Sequence, residues 1–218
     1  MFNLLSILQV AELYGKASDF DAVDFDSFPK HYVIRPTRGH SSGFVFLIDN
    51  SLNFMDGKTY SKEEIKVILA MALHQNIKLE FLIEEFLRTE GGEYKISGDY
   101  YFYMFNGEVA TIQVIKRLGV FKGFTSCYNE NWQQVENVNI CYGQGTYQTP
   151  PKCLKEMIEK AKELSRAYEI FFRIDFYTTD RGAVFGEFTP TRFMGITFTP
   201  QADKLFINYW DKFCKGKI

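Results

Sequence analysis

Stretches in which apolar and polar residues alternate predict most of the strands of this chain. HYVIRP (31–36) alternates, is rich in β-branched residues, and is stopped by a proline, which cannot donate to a strand ladder. FVFLID (44–49) predicts the next strand, and the small-residue loop 37–43 between them predicts a hairpin. Residues 99–117 predict a further hairpin, because an Asn-Gly pair divides two apolar runs.

Two segments have helical periodicity instead. Residues 61–76 begin with Ser61 as a candidate N-cap, and Glu64 follows three residues later, which is the capping-box pattern. Residues 153–169 predict an amphipathic helix whose apolar stripe consists of Leu154, Met157, Ile158, Ala161 and Leu164. The stretch 79–87 fits a strand or a helix, and the turn-rich residues after it favour a strand. Hairpins with interspersed helices predict an α+β fold with antiparallel sheets in two lobes.

The stretch RIDFYTTDRGAVFGEFTPTRFMG contains two aromatic strands, 170–177 and 183–188, joined by a polar turn. Because side chains alternate along a strand, one face of the first holds Arg173, Asp175 and Tyr177, and one face of the second holds Phe185, Glu187 and Thr189. If the turn is centred near Arg181, Asp175 and Glu187 lie opposite each other. Like charges in that position destabilise a sheet, so something has to offset them.

Three arrangements offset the two acids, and the sequence leaves all three open. The carboxylates can share one proton. They can also bind a divalent cation such as Mg²⁺, which completes its shell with phosphates and water. Alternatively, one acid points to solvent and pairs with Arg173 or Arg181.

The loop TRGHSSG (37–43) is a candidate phosphate cradle. Backbone N–H groups in such a loop can hold phosphate oxygens, Ser41 and Ser42 add donors, and Arg35 and Arg38 add positive charge. The loop lacks the GxxxxGK[ST] sequence and the following helix of a Walker A loop. An ordinary hairpin loop rich in glycine and serine is the alternative.

Composition narrows the functional classes. The 218 residues are 46% hydrophobic, enough for one sizeable domain or two small lobes. A net charge of −2 without a basic stretch argues against a nucleic-acid partner. The cysteines and histidines lack metal-ligand spacing, which argues against zinc and favours free thiols in a reducing cytoplasm. No apolar run is long enough to span a bilayer, and residues 1–16 are interpreted as a docked helix or strand rather than a signal peptide.

Several segments, taken in order, resemble the TupA-like family of ATP-grasp enzymes of teichuronopeptide and polysaccharide biosynthesis. The resemblance covers residues 20–205 and is most specific in the hairpin that carries Asp175 and Glu187. The other segments that resemble the family are FPKHYVIRPTRGHSSG, FLIEEFL, DYYFYMFNGEV and EMIEKAKELS. The resemblance implies an ATP-grasp fold, in which two lobes of mostly antiparallel sheet with helices clasp a nucleotide.

By position, the resemblance implies three sets of site residues. Asp175 and Glu187 would be Mg²⁺ ligands, and Thr189 stands where many ATP-grasp proteins have an asparagine ligand. Arg173 and Arg35 are the candidate catalytic residues, and Arg173 would stabilise the transferring phosphoryl group or the acyl intermediate. The implied ATP contacts come from three places. The lid would supply Arg35, Arg38, Gly39, Ser41, Ser42 and Gly43, and the hinge would supply Glu84, Glu85, Phe86 and Leu87. Asp99 would be the acid that binds the ribose.

The chain departs from the family pattern in three places. Arg35 stands where the family usually has a lysine, and arginine keeps the charge without being interchangeable with it. Tyr101 stands where another lysine is usual. The region before the lid strands is short, which leaves a segment 1–30, a small lobe 31–86 and a large lobe 87–218.

The implied activity is carboxylate–amine ligation that depends on ATP and Mg²⁺. ATP would phosphorylate a carboxylate, and an amine would attack the acyl phosphate to form an amide. The implied partners are an amine and a small-molecule or glycan-linked acid, such as a uronic acid or amino acid of a polysaccharide. The alternatives are an ATP-grasp kinase or phosphotransferase, and a non-catalytic relative that binds nucleotide or a partner protein. The oligomeric state, a homodimer among other options, is left open.

Overall fold

A computed structural model of the protein describes residues 8–20, 23–37, 44–119, 122–190 and 197–217. Among these residues the chain forms two compact units. Residues 11–96 form most of the first, which we call the N-terminal unit. The C-terminal unit consists of residues 97–118 and 122–217 together with residues 8–10. Each unit has its own sheet and its own buried apolar core.

Six strands form the described sheet of the N-terminal unit. They are β1 (Leu13–Ala17), β2 (His31–Pro36), β3 (Phe46–Asp49), β4 (Leu52–Asn53), β5 (Lys58–Thr59) and β6 (Phe81–Glu85). All neighbours are antiparallel, in the order β1-β6-β2-β3-β4-β5. The ambiguous stretch 79–87 therefore contains a strand, as the turn residues after it indicate.

Helix α1 (Lys62–Gln75) covers this sheet, and its start follows from its cap. The Ser61 hydroxyl accepts a hydrogen bond from the Glu64 backbone N–H at 3.1 Å, and the Glu64 carboxylate accepts one from the Ser61 N–H at 2.8 Å. The predicted capping box is thus confirmed. The buried residue Leu69 of α1 packs in one core with Ile34 and Ile83 of the sheet.

Seven strands form the described sheet of the C-terminal unit. They are β7 (Asp99–Phe105), β8 (Glu108–Gly119), β9 (Lys122–Tyr128), β10 (Gln134–Val135), β11 (Gly143–Gln144), β12 (Phe171–Thr179) and β13 (Gly182–Thr189). The order is β10-β9-β8-β7-β12-β13, and β11 pairs with β9 in parallel. Asn106 and Gly107, both at positive φ, form the predicted Asn-Gly turn between β7 and β8.

Both faces of this second sheet are covered. Helix α2 (Leu154–Tyr168) packs on one face, where Met157 joins the core that contains Phe102. Helix α3 (Pro200–Tyr209) and the π-helical turn after it cover the other face, where Phe206 joins Tyr103. Strand β7 is consequently buried along its whole length. Any polar side chain on β7 therefore needs a partner inside the protein.

The α+β fold with antiparallel sheets is confirmed. Strand β9 and helix α3 are among the elements that the apolar pattern does not predict, although the start of α3 has a sequence signal. Thr199 is its N-cap and accepts from the Ala202 N–H at 3.1 Å, and Pro200 follows as the first helical residue. The lobe boundaries 31–86 and 87–218 stay predictions.

Candidate functional site

The hairpin of β12 and β13 brings the two predicted acids together. Asp175 lies directly opposite Glu187, the pairing predicted for a turn centred near Arg181, and Arg173 lies opposite Thr189. The turn itself is tighter than predicted, because Thr179 already pairs with Gly182. A regular hairpin with that turn would pair Asp175 with residue 186 rather than with Glu187.

A β-bulge at Gly186 adds one extra residue to β13 and so changes this pairing. The register shifts between Asp175 and Phe176, so that Gly186 is the extra residue and Glu187 moves opposite Asp175. A Cβ atom at Gly186 would lie 3.0 Å from the Tyr177 ring and 3.3 Å from the Asp175 carbonyl oxygen. Glycine is therefore the residue that this bulge accommodates.

The same bulge corrects one prediction. Phe185 does not share the face of Glu187, because the extra residue reverses the alternation between them. The Phe185 ring packs on the core side, 4.7 Å from the ring of Phe188 and 6.4 Å from that of Phe176, measured between centroids.

Arg173 lies between the two acids and binds both. Its Nε and Nη2 donate to the two carboxylate oxygens of Asp175, each at 2.6 Å, and Nη2 also donates to Glu187 at 2.9 Å. Nη2 donates as well to the Thr189 hydroxyl at 2.9 Å. We call Arg173, Asp175, Glu187 and Thr189 the Arg173 cluster. Within it the guanidinium group offsets the repulsion between the carboxylates.

The Arg173 cluster has a buried end and an open end. The side chains of Arg173 and Asp175 are 6% and 8% exposed, whereas that of Glu187 is 57% exposed. Burial raises the pKa of the Asp175 carboxyl well above its ordinary value, and the charge and hydrogen bonds of Arg173 act in the opposite direction. The buried carboxylate therefore depends on positive charge beside it.

Strand β7 adds an aromatic support that the resemblance did not indicate. Tyr101 lies opposite Asp175 across the β7–β12 pair, and Cζ of Arg173 is 4.1 Å from the centroid of its ring. The Tyr101 hydroxyl accepts a hydrogen bond from Arg117 Nη2 at 3.1 Å and donates one to Asp99 at 3.4 Å. Arg117 Nε also pairs with Asp99 at 2.5 Å. The predicted ribose ligand is thus a buried carboxylate that is bound to an arginine.

Sequence reasoning missed Arg117, although a signal for it was present. The Asn-Gly turn sets the pairing of the two strands around it, and Asp99 pairs with Ile115. Arg117 follows two residues later on the same face of β8, within reach of an acid at that strand end. Burial raises the pKa of the Asp99 carboxyl, and Arg117 opposes that effect.

In the N-terminal unit, two predicted ATP contacts bind each other. Arg35 Nε and Nη2 donate to the two carboxylate oxygens of Glu84, at 2.5 and 3.2 Å. The Glu85 carboxylate accepts from the Glu12 N–H at 3.1 Å. Phe86 is buried and its ring packs against those of Phe54 and Tyr94, and Leu87 is half-buried. The predicted loop contacts lie outside the described residues, namely Arg38, Gly39, Ser41, Ser42 and Gly43.

The oxygen donors of the Arg173 cluster suit a hard cation. Asp175 and Glu187 are adjacent carboxylates, and Mg²⁺ commonly binds one or two carboxylates together with phosphates and water. Among the described residues, no group of three or more His, Cys, Asp or Glu side chains could hold a metal. The cluster therefore fits a cation whose remaining ligands come from a substrate. Separately, no helix in the described part of the chain is long and apolar enough to cross a membrane.

Several solved structures have the same fold. D-alanine–D-alanine ligase from Bacillus anthracis matches with a TM-score of 0.56 and 14% identity, over 97% of this chain and 65% of the ligase. The same ligase complexed with ATP gives 0.54 and 14%, over 99% and 66%. D-cycloserine synthetase DcsG gives 0.53 and 12%, over 97% and 68%. At these identities the similarity establishes the fold, and the chain spans 65% of the length of the first ligase.

Sequence comparison identifies the family. No curated protein matches the sequence. The family model described as TupA-like ATP-grasp matches residues 11–208, a range that includes the Arg173 cluster and the Arg35–Glu84 pair. Because the match extends over most of the chain, the protein belongs to the TupA-like ATP-grasp family.

Proposed function

We propose that this protein is an ATP- and Mg²⁺-dependent carboxylate–amine ligase. The observation that carries the proposal is the Arg173 cluster, in which a buried arginine is held between two carboxylates on one hairpin of an ATP-grasp fold. The cluster places a fixed positive charge beside two hard oxygen ligands. Phosphoryl transfer to a carboxylate requires both, because negative charge accumulates on the transferring group.

In the proposed reaction the γ-phosphoryl group of ATP passes to a substrate carboxylate, which gives an acyl phosphate and ADP. An amine nitrogen then attacks the acyl carbon, the carbon–oxygen bond to phosphate breaks, and an amide and phosphate are released. Arg173 stabilises the negative charge on the oxygens of the reacting group in both steps. Its guanidinium is already fixed by Asp175, so little reorganisation is needed as that charge develops.

Asp175 and Glu187 hold the metal in this proposal. When bound there, Mg²⁺ would supply positive charge that offsets the charge of the phosphates. Each carboxylate oxygen has two lone pairs, so Asp175 can keep its bonds to Arg173 while it contributes to a metal. Glu187 presents a largely exposed side chain, and the adjacent Thr189 hydroxyl can hydrogen-bond a water of the metal.

For the nucleotide, we favour the backbone groups of hinge residues 84–87 over the side chain of Glu84. The Glu84 carboxylate is bound to Arg35, whereas hinge backbone groups can bind an adenine edge without breaking that pair. The Arg35 side chain is 38% exposed and can exchange the carboxylate for a phosphate. A ligase with the same fold has been solved with ATP, which supports ATP as the nucleotide.

The acid and the amine are proposed from family resemblance. We propose a uronic acid or an amino acid of a polysaccharide or its precursor as the acid. A fold does not determine a substrate, so this part of the proposal needs a screen rather than a structural argument.

Calorimetric titration of ATP with and without Mg²⁺ tests the nucleotide and metal assignments. We expect the wild type to bind ATP more tightly with Mg²⁺, and the Asp175→Asn/Glu187→Gln double variant to lose the Mg²⁺-dependent part. Glu159→Gln, on the exposed side of α2, is the matched control and should bind as the wild type does. Failure of the wild type to bind ATP overturns the proposed function. Binding that is independent of Mg²⁺ and unchanged in the double variant overturns the metal assignment.

A screen for ADP release with mixed carboxylic acids and amines tests the reaction. A ligase forms amide and free phosphate only when both an acid and an amine are present. ADP release that needs no amine and leaves a stable phosphorylated product identifies a kinase instead. Binding of ATP without turnover across the screen favours a non-catalytic relative.

A further inference from the structure

The guanidinium group of Arg173 is held in two directions. Its edge is bound by Asp175, Glu187 and Thr189, which all lie on its own hairpin. Its central carbon, Cζ, lies over the ring of Tyr101 on the neighbouring strand, 4.1 Å from the ring centroid. Hydrogen bonds at the edge set the direction in which the group points within its plane. The ring adds a cation–π contact from a different strand, which the hydrogen bonds of the hairpin do not supply.

Tyr101 is itself fixed at its far end. Its hydroxyl lies between Arg117, which donates to it at 3.1 Å, and Asp99, which accepts from it at 3.4 Å. Asp99 and Tyr101 are 7% and 8% exposed. The phenol is therefore anchored to the β7–β8 pair, whereas its ring supports an arginine on β12.

We propose that Tyr101 is a positioning residue for Arg173, and that the Asp99–Arg117 pair acts on Arg173 through Tyr101. The kinetic part of this inference rests on the proposed ligase function. In this arrangement Asp99 does not contact the ribose. It holds the tyrosine ring in place under Cζ of Arg173, so that the charge of Arg173 is presented to the reacting group from one fixed position.

Stability alone gives little reason for this arrangement. A buried ion pair often contributes no more to stability than well-packed apolar residues of the same volume, because removing both charges from water offsets their attraction. The Tyr101 ring joins the Asp99–Arg117 pair to Arg173, because its hydroxyl contacts the pair and its ring lies under Cζ of Arg173. Fixing that ring is a consequence that apolar residues at positions 99 and 117 would not reproduce.

The first test separates the tyrosine ring from its hydroxyl group. Tyr101→Leu removes the ring, and we expect kcat to fall about 10- to 100-fold, since small misplacements of a reacting group have effects of that size. Tyr101→Phe keeps the ring and loses the anchor, so kcat should fall less and retain part of the wild-type value. Tyr100→Leu is the matched control, because Tyr100 directly precedes Tyr101 on β7 and packs on the opposite face of the sheet against Trp132. A wild-type kcat in Tyr101→Leu overturns the proposal.

The second test separates positioning from ribose binding. If Asp99 positions Tyr101, Asp99→Asn lowers kcat and leaves the calorimetric Kd for Mg²⁺-ATP within about threefold of the wild type. If Asp99 binds the ribose, the same substitution weakens ATP binding and leaves kcat nearly unchanged. The second outcome overturns the role given to Asp99.

A spectroscopic measurement keeps the inference testable if the protein does not turn over. The side-chain Nε–Hε NMR signal of Arg173, assigned by its loss in Arg173→Lys, senses the ring current of Tyr101. We expect it to shift in Tyr101→Leu and to stay near its wild-type position in Tyr100→Leu. If this signal shifts in Tyr101→Leu and the wild type does not turn over, the ligase proposal fails and the support of Arg173 by Tyr101 stands. An unchanged signal in Tyr101→Leu overturns that support.

Discussion

Two arginine–carboxylate pairs, one in each unit, are alike in chemistry and different in environment. The Arg35 side chain is 38% exposed and binds Glu84 on a neighbouring strand. The Arg173 side chain is 6% exposed and binds Asp175, Glu187 and Thr189 beside a tyrosine ring. The Arg35 pair is only partly buried, with the Glu84 side chain 16% exposed, whereas a fully buried charge that loses its partner is strongly destabilising. Arg35 can therefore exchange its partner for an anion, and Arg173 keeps a fixed position.

Removal of Arg173 should have the largest effect. Arg173→Ala leaves Asp175 as a buried carboxylate without its arginine, so we expect a loss of about 3–5 kcal/mol in the free energy of unfolding and no measurable ligation. Urea denaturation and amide formation are the measurements. Arg173→Lys keeps the charge but not the two parallel bonds to Asp175, and should restore stability more than activity. Equal stability of wild type and Arg173→Ala would contradict the buried pairing.

Substitutions of the two acids should both lower activity, but only the one at Asp175 should lower stability. Asp175→Asn places an amide against the buried Arg173, and we expect a loss of about 2 kcal/mol in unfolding free energy together with lost Mg²⁺-dependent activity. Glu187→Gln changes an exposed side chain, so its unfolding free energy should stay within about 0.5 kcal/mol of the wild type while activity falls. Thermal unfolding and Mg²⁺-dependent ADP release distinguish the two. Similar stability losses in both variants would mean that the cluster has no distinct buried end.

The bulge at Gly186 should be sensitive to a single methyl group. In Gly186→Ala the added Cβ meets the Asp175 carbonyl oxygen, a backbone atom that cannot rotate away. We expect a loss of about 1–3 kcal/mol in unfolding free energy, and lower activity because Glu187 moves relative to Asp175. Gly98→Ala in the same unit is the control, since its Cβ makes only contacts of 3.6 Å or longer. Full activity in Gly186→Ala would show that activity does not require Glu187 to lie directly opposite Asp175.

Substitution of Arg35 should affect nucleotide binding more than stability. Arg35→Ala breaks a partly buried pair, in which the Glu84 side chain is 16% exposed, so the unfolding free energy should fall by about 1–2 kcal/mol, while the KM for ATP rises about tenfold through the lost phosphate contact. Lys16→Ala, which removes an exposed pair of the same unit, should leave the KM for ATP unchanged. Arg35→Lys keeps the positive charge and should recover most of the ATP affinity. An unchanged KM in Arg35→Ala would remove Arg35 from the nucleotide site.

Local sequence patterns predicted the features that depend on a few neighbouring residues, such as helix caps and tight turns. The capping box at Ser61 and the Asn-Gly turn at residues 106 and 107 are examples, because their hydrogen bonds and φ angles depend on neighbouring residues alone. Helix α3 was missed because it buries only two side chains, Ala202 and Phe206, and so has a weak apolar pattern. Its Thr-Pro start was the available signal.

The sequence by itself determined which residues are candidates for the chemistry. Alternation along each strand grouped Arg173 with Asp175 and Glu187 with Thr189, and the structure pairs these two groups across the hairpin through the bulge at Gly186. Only the tertiary structure decided what each charge binds. The bulge at Gly186, the ring of Tyr101 under Arg173 and the Arg35–Glu84 pair depend on register and on contacts between strands far apart in the chain. Such contacts are selected by packing and by the need of buried charges for partners, which no local pattern records.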